Sequence, residues 1–130
     1  MSQEHVEIVR GMYEQFARGD FSAWADLPAD VEFVTSPEVP DAGTYRGEAA
    51  IRWMTAWVES FEGHTMEATE IIGAGDKVLV AILQRGRPRG SQTVVEGRWW
   101  VVHTLRGGEI VRAEVVQERA HAFEAAGLRE

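Results

Sequence analysis

The stretch TVVEGRWWVVHTLRGGEIVRAEVVQER, residues 93–119, decides the fold. Two runs of alternating apolar and polar residues flank Gly107-Gly108, the pattern of two antiparallel strands joined by a tight turn. Successive side chains of a strand point to opposite faces. On the first run Glu96, Arg98, Thr104 and Arg106 share one face, while Gly97, Trp99, Val101, His103 and Leu105 share the other. On the second run Arg112, Glu114 and Glu118 face one way, and Val111, Ala113, Val115 and Gln117 the other. A plain two-residue loop would set Arg112 opposite His103 on the inner face. Matched faces therefore predict a three-residue loop, Arg106-Gly107-Gly108, with Gly108 in the left-handed region. That register sets Trp99 opposite Val115, Val101 opposite Ala113 and Gly97 opposite Gln117. Trp100, Val102 and Val116 then fall among charges on the outer face, an apolar patch that predicts cover by a second copy in a homodimer.

Upstream, residues 65–72 and 77–85 read as two more strands, separated by the turn Gly73-Ala74-Gly75-Asp76. Residues 86–91 read as a wider hairpin loop carrying Arg87 and Arg89. A glycine within a long strand, such as Gly97, predicts a bent sheet. Before the strands, Val6, Val9, Met12, Tyr13 and Phe16 recur at helical spacing over residues 4–18, and Gly19 stops that helix. Asp20 opens a short second helix with Phe21, Trp24 and Leu27, ended by Pro28. Residues 31–35 read as a strand and residues 36–47, rich in proline and glycine, as a loop outside any regular element. Ile51, Met54, Trp57, Val58 and Phe61 restore helical spacing from Glu48, with Gly63 as the stop, and residues 121–126 form a last helical turn or two. Helices followed by consecutive strands predict one α+β domain over residues 1–130, a cone-shaped, curved antiparallel sheet covered by N-terminal helices around an apolar pocket.

Composition narrows the partners. Thirteen basic against 21 acidic residues give a net charge of −8, which repels nucleic acid and anionic membrane surfaces alike. The N-terminal residues lack the pattern of a signal peptide, and no apolar run approaches a membrane span, so the expectation is a cytoplasmic protein. The chain has no cysteine, which excludes disulfides and thiolate chemistry. Its four histidines show no metal-ligand spacing, so neither metal nor cofactor is expected.

Four segments carry a family resemblance: Gly19-Asp20, Asp41-Ala42-Gly43-Thr44-Tyr45-Arg46-Gly47, Thr104-Leu105-Arg106-Gly107-Gly108-Glu109-Ile110-Val111-Arg112, and Glu124-Ala125-Ala126-Gly127-Leu128. In this order the chain resembles the SnoaL-like branch of the nuclear transport factor 2-like superfamily, which also includes polyketide cyclases, ketosteroid isomerase and limonene epoxide hydrolase. The resemblance implies a pocket between the helices and the concave sheet face, and commonly a homodimer paired through the outer face. It also shows a departure. The positions where the cyclases carry a histidine and a catalytic aspartate correspond to Val101 and Val115, which cannot move a proton. The acidic sheet residue of the isomerase falls near Val101 as well, and its first-helix tyrosine near Met12, one residue before Tyr13. Neither mechanism carries over.

Among the remaining candidates, His103 is the one strand histidine on the inner face, able to exchange protons near neutral pH or simply to be bonded into the core. Gln117 could aim an amide at a ligand or bond to nearby backbone. Asp41 could place a carboxylate at the pocket mouth or cap its own loop. Tyr45 could donate its hydroxyl to a ligand or pack over the long helix. Trp24, Trp53, Trp57 and Trp99, with Phe33 and Phe61, divide between core and cavity lining. Arg85, Arg87 and Arg89 read as solvated hairpin charge, with an anionic substrate as the lesser possibility. Two readings follow. One is a domain that binds a small apolar molecule, with Trp99, Val101, Val115, Gln117, Tyr13, Tyr45 and Trp57 as the ligand-binding set. The other is an isomerase, polyketide cyclase or epoxide hydrolase-like enzyme using general acid/base catalysis through His103 or Asp41.

Overall fold

The computed structural model describes residues 2–35 and 42–129. Its elements are α1 (Ser2–Phe16), a 3-10 turn (Ser22–Asp26), β1 (Glu32–Val34), β2 (Thr44–Arg46), α2 (Glu48–Glu59), β3 (Phe61–Ala74), β4 (Lys77–Pro88), β5 (Val95–Arg106), β6 (Glu109–Val116) and α3 (Arg119–Ala125). The strands form one six-stranded sheet in the order β2-β1-β6-β5-β4-β3. Every neighbouring pair is antiparallel except one: β1 runs parallel to β6, with Phe33 beside Ala113. The sheet is therefore mixed rather than purely antiparallel. A strand reached after a helix pairs with whichever edge its apolar side chain can cover, and Phe33 closes the core cluster from that edge.

Alternation along β4 and β5 sorts two apolar layers. Val78, Val80, Ile82, Val101 and Leu105 pack inward against Val9, Tyr13 and Phe16 of α1 and Ala50 and Met54 of α2. Leu79, Trp100 and Val102 face outward and are covered by Ala122 and Phe123 of α3. This changes the expectation for the outer face. Trp100 and Val102 are buried within the chain itself, so the bare patch that motivated a homodimer does not exist.

The β5–β6 register also departs from the expected one. The turn is the two-residue loop Gly107-Gly108, with φ of 59° and 82°, the positive pair that a tight hairpin of matching twist needs. Leu105 pairs with Ile110, but Thr104 pairs with Arg112, so Val111 is an extra residue in β6. This bulge restores the parity that a two-residue loop would have broken. It sets Val101 opposite Val115 and His103 opposite Ala113. The faces agree as the alternation requires, except that Ile110 takes the buried place expected of Val111.

Two boundaries differ as well. Thr44–Arg46, expected in a loop, forms β2 because Tyr45 pairs with Phe33 and because Thr35 and Gly43 exchange backbone and hydroxyl hydrogen bonds. The long helix ends at Glu59 rather than near Gly63: the Ser60 hydroxyl donates to the Trp57 carbonyl at 2.6 Å, and Phe61 already pairs with Pro88 of β4.

Candidate functional site

A cavity of about 670 Å³ lies between α1, the 3-10 turn and α2 on one side and the inner sheet face on the other. Its wall is mainly aromatic and aliphatic. Trp53 and Trp57, one helical turn apart on α2, stack with centroids 6.0 Å apart and planes 11° from parallel. Trp99 of β5 meets Trp57 edge-on at 6.1 Å, and Phe33 of β1 lies 5.1 Å from Trp53. Val101 and Val115, directly paired across β5 and β6, contribute the aliphatic floor.

A buried, hydrogen-bonded polar pair interrupts this wall, which Glu32, Thr35, Ser60, Arg98 and Gln117 also reach. The α1 stripe that buries Val9 and Phe16 also turns Tyr13 inward, and its hydroxyl lies 2.8 Å from Nε2 of His103. Both side chains line the cavity, and each residue is only 4 % exposed. Burial pushes the His103 imidazole down to about 4 and raises the Tyr13 phenol, so both are neutral at physiological pH. Nδ1 of His103 has no hydrogen-bond partner. Two proton arrangements fit the contact. If Tyr13 donates to Nε2, the ring proton sits on the unpartnered Nδ1. If Nε2–H donates to the Tyr13 oxygen, the phenolic hydrogen is left to donate elsewhere.

The remaining candidates separate clearly. Trp57, Trp99, Val101, Val115 and Gln117 all line the cavity, Gln117 from an exposed position just beyond β6. Gln117 does not stand opposite Gly97, because the shorter loop and the bulge each move the β5–β6 register by one residue from the expected one. The space over Gly97 is taken instead by the Trp99 ring. Tyr45 does not line the cavity; it packs behind it, 5.9 Å from Trp53. Asp41 lies outside the described residues. Trp24, Trp53 and Phe33 reach the cavity, whereas Phe61 packs between Trp57 and His64. Arg85 pairs with Glu96, and Arg87 and Arg89 share Glu62, so each arginine of the basic hairpin is ion-paired at the surface. Among the described residues no group of three His, Asp or Glu side chains could hold a metal ion. None of their helices is long and apolar enough to cross a membrane.

The Tyr13–His103 contact is not legible in the sequence, because strand alternation orders only neighbouring strands and the partner comes from a helix 90 residues away. The signal for it was the helical stripe Val9, Tyr13 and Phe16, which had to face the same core as His103. Ile110 was missed because a bulge leaves no mark in an alternation pattern.

The sequence profile of the SnoaL-like domain matches residues 9–113. No curated protein matches the chain. Among solved structures, a candidate SnoaL-like polyketide cyclase from Jannaschia sp. CCS1 is similar with a TM-score of 0.73 at 15% identity, over 99% of this chain and 95% of that one. A hypothetical protein from Catenulispora acidiphila DSM 44928 with a ketosteroid isomerase-like fold, in complex with trimethylamine, has a TM-score of 0.68 at 20% identity, over 95% and 94%. TerC co-crystallized with polyporic acid has a TM-score of 0.69 at 22% identity, over 95% and 98%. At these identities the likeness is one of fold.

Proposed function

This chain belongs to the SnoaL-like domain family, and we propose that its cavity holds a small, largely apolar molecule bearing one hydrogen-bond acceptor such as a carbonyl oxygen. The observation that carries this reading is the buried Tyr13–His103 pair set into a mainly aromatic and aliphatic wall, whose other polar residues are Glu32, Thr35, Ser60, Arg98 and Gln117. An acceptor on the ligand would select the arrangement in which Nε2–H donates to the Tyr13 oxygen and Tyr13 donates to the ligand. The structural neighbours that hold trimethylamine and polyporic acid support small-molecule binding by this fold. The net charge of −8 favours an uncharged or cationic molecule over nucleic acid.

General acid/base catalysis is the second reading, and the same contact favours it by setting two titratable groups beside the cavity. Their neutrality argues against it at pH 7. An imidazole held at about 4 is a weak base, and a phenol raised by burial is a weak acid. The Val101–Val115 pair supplies no proton donor or acceptor in their place.

Thermal shift and tryptophan-fluorescence titration with acetophenone, 2-acetonaphthone and limonene oxide test the proposal. The ketones should raise the melting temperature, and Tyr13→Phe should weaken ketone binding about tenfold, one hydrogen bond's worth. Failure of every compound to bind would reject it, and turnover of any of them would favour the enzyme. Assembly and compartment are proposals on separate grounds. A homodimer would need a surface other than the α3-covered face, which light scattering decides, and a cytoplasmic location rests on composition alone.

A further inference from the structure

We propose that Gly97 determines the size of ligand the cavity accepts, by giving the Trp99 indole a place to lie outside it. The proposal rests on the reading of the cavity as a ligand site. Gly97 is on the inner face of β5, paired with Gln84 of β4, and its φ is not in the left-handed region. The backbone there would accept any residue. What demands glycine is the neighbour two residues on. A Cβ built on Gly97 would stand 2.9 Å from Cζ3 of Trp99 and 3.5 Å from Cε3. Carbon atoms pack at about 3.5–4.0 Å, so the first distance is a clash.

The indole of Trp99 therefore lies back along its own strand, over the bare Cα of residue 97. Trp57 meets that indole edge-on at 6.1 Å and closes the side towards α2. The open volume beside Trp99 is the cavity itself, which Gly97, Trp57 and Trp99 all line. Any side chain at position 97 tips the indole into that volume. An indole is large against about 670 Å³, so the change falls on bulky ligands and spares small ones. Gly97 and Trp99 thus act as one size-setting unit, with Gly97 the positioning residue and Trp99 the surface the ligand meets.

The test uses Gly97→Ala and Gly97→Ala/Trp99→Ala, each titrated with acetophenone, 2-acetonaphthone and 2-acetylanthracene, together with a crystal structure of Gly97→Ala. Gly97→Ala should lose about tenfold or more in affinity for the three-ring ketone while changing acetophenone binding less than about twofold. The double variant should recover the three-ring ketone. Equal losses across the series, or loss in the double variant as large as in the single, would overturn the proposal. If the parent protein binds no ketone, the ligand-site reading fails by itself. The crystal structure then still decides the present one, because an indole turned into the cavity supports it and an indole left in place sinks it.

Discussion

At the scale of single residues, Tyr13 and His103 depend on each other. Tyr13→Phe leaves Nε2 of His103 buried without a partner, at a cost of about 1–3 kcal/mol. Adding His103→Leu removes the stranded group, so the double variant should be less destabilised in urea than the two single changes summed. Simple additivity would show that the contact contributes nothing. The pair also sets a pH dependence. The unfolded chain takes up a proton on this imidazole near pH 6.5, whereas the folded chain resists until about 4. Stability from this group is complete above about pH 6.5 and falls as the pH drops towards 4, by up to about 3 kcal/mol. His64, also lowered by burial, contributes in the same direction, so the informative quantity is the difference between the parent and His103→Gln. The two stability curves should converge as the pH falls from 6.5 to 4; parallel curves would reject the assignment. Much of this site was legible in advance: the period-2 pattern put Trp99, Val101, His103 and Val115 on one face without reference to any helix. The helix that supplies Tyr13 was legible too, but its rotation about the sheet was not, since residue spacing defines a stripe and not the strand it will meet.

Among the elements, the β5–β6 hairpin makes the most exacting claim. Gly107 and Gly108 both have positive φ, so Gly108→Ala should cost about 1–2 kcal/mol. Gly107→Asn should be nearly neutral, because Asn-Gly suits the same turn. Chemical denaturation of Gly107→Ala separates this loop, in which it should cost about 1–2 kcal/mol, from the three-residue alternative, in which Gly107 would have no such restriction. Deleting Val111 would remove the bulge yet leave Leu105 opposite Ile110 and Thr104 opposite Arg112, so the ion pairs of Arg112 with Glu32 and Glu114 are kept and circular dichroism should show a folded variant. The C-terminal helix is a second test. Phe123 is buried against Trp100 with ring centroids 6.2 Å apart, and Phe123→Ala should cost about 3–5 kcal/mol. It should also bare Leu79, Trp100 and Val102 and promote association, visible as a higher mass in light scattering. The helix itself was expected from the sequence, and its docking face was not. Seven residues carry too few apolar positions to announce a partner.

Over the whole molecule, one core cluster spans α1, the 3-10 turn, α2 and all six strands except for the outer layer under α3. Trp24, Trp53, Trp57 and Trp99 report on the inner layer and Trp100 on the outer. Fluorescence and far-ultraviolet dichroism should therefore trace the same unfolding curve, and displaced midpoints would mean that the layers melt separately. The general architecture was readable because helices came first and strands followed, each with its own period. The parallel contact was not readable, because a three-residue strand has no pattern that names its neighbour. That contact bears on how the molecule is made. Glu32 meets Arg112 across 80 positions of chain, so during synthesis β1 can pair with β2 but cannot join the rest of the sheet until nearly all of the protein has left the ribosome. The hairpins of the later strands are local and close quickly, while this seam is topologically remote and closes late. Until then β1 has only β2 as a strand neighbour, and a nascent chain stalled before residue 109 would present the other side of β1 to chaperones as an unfinished edge.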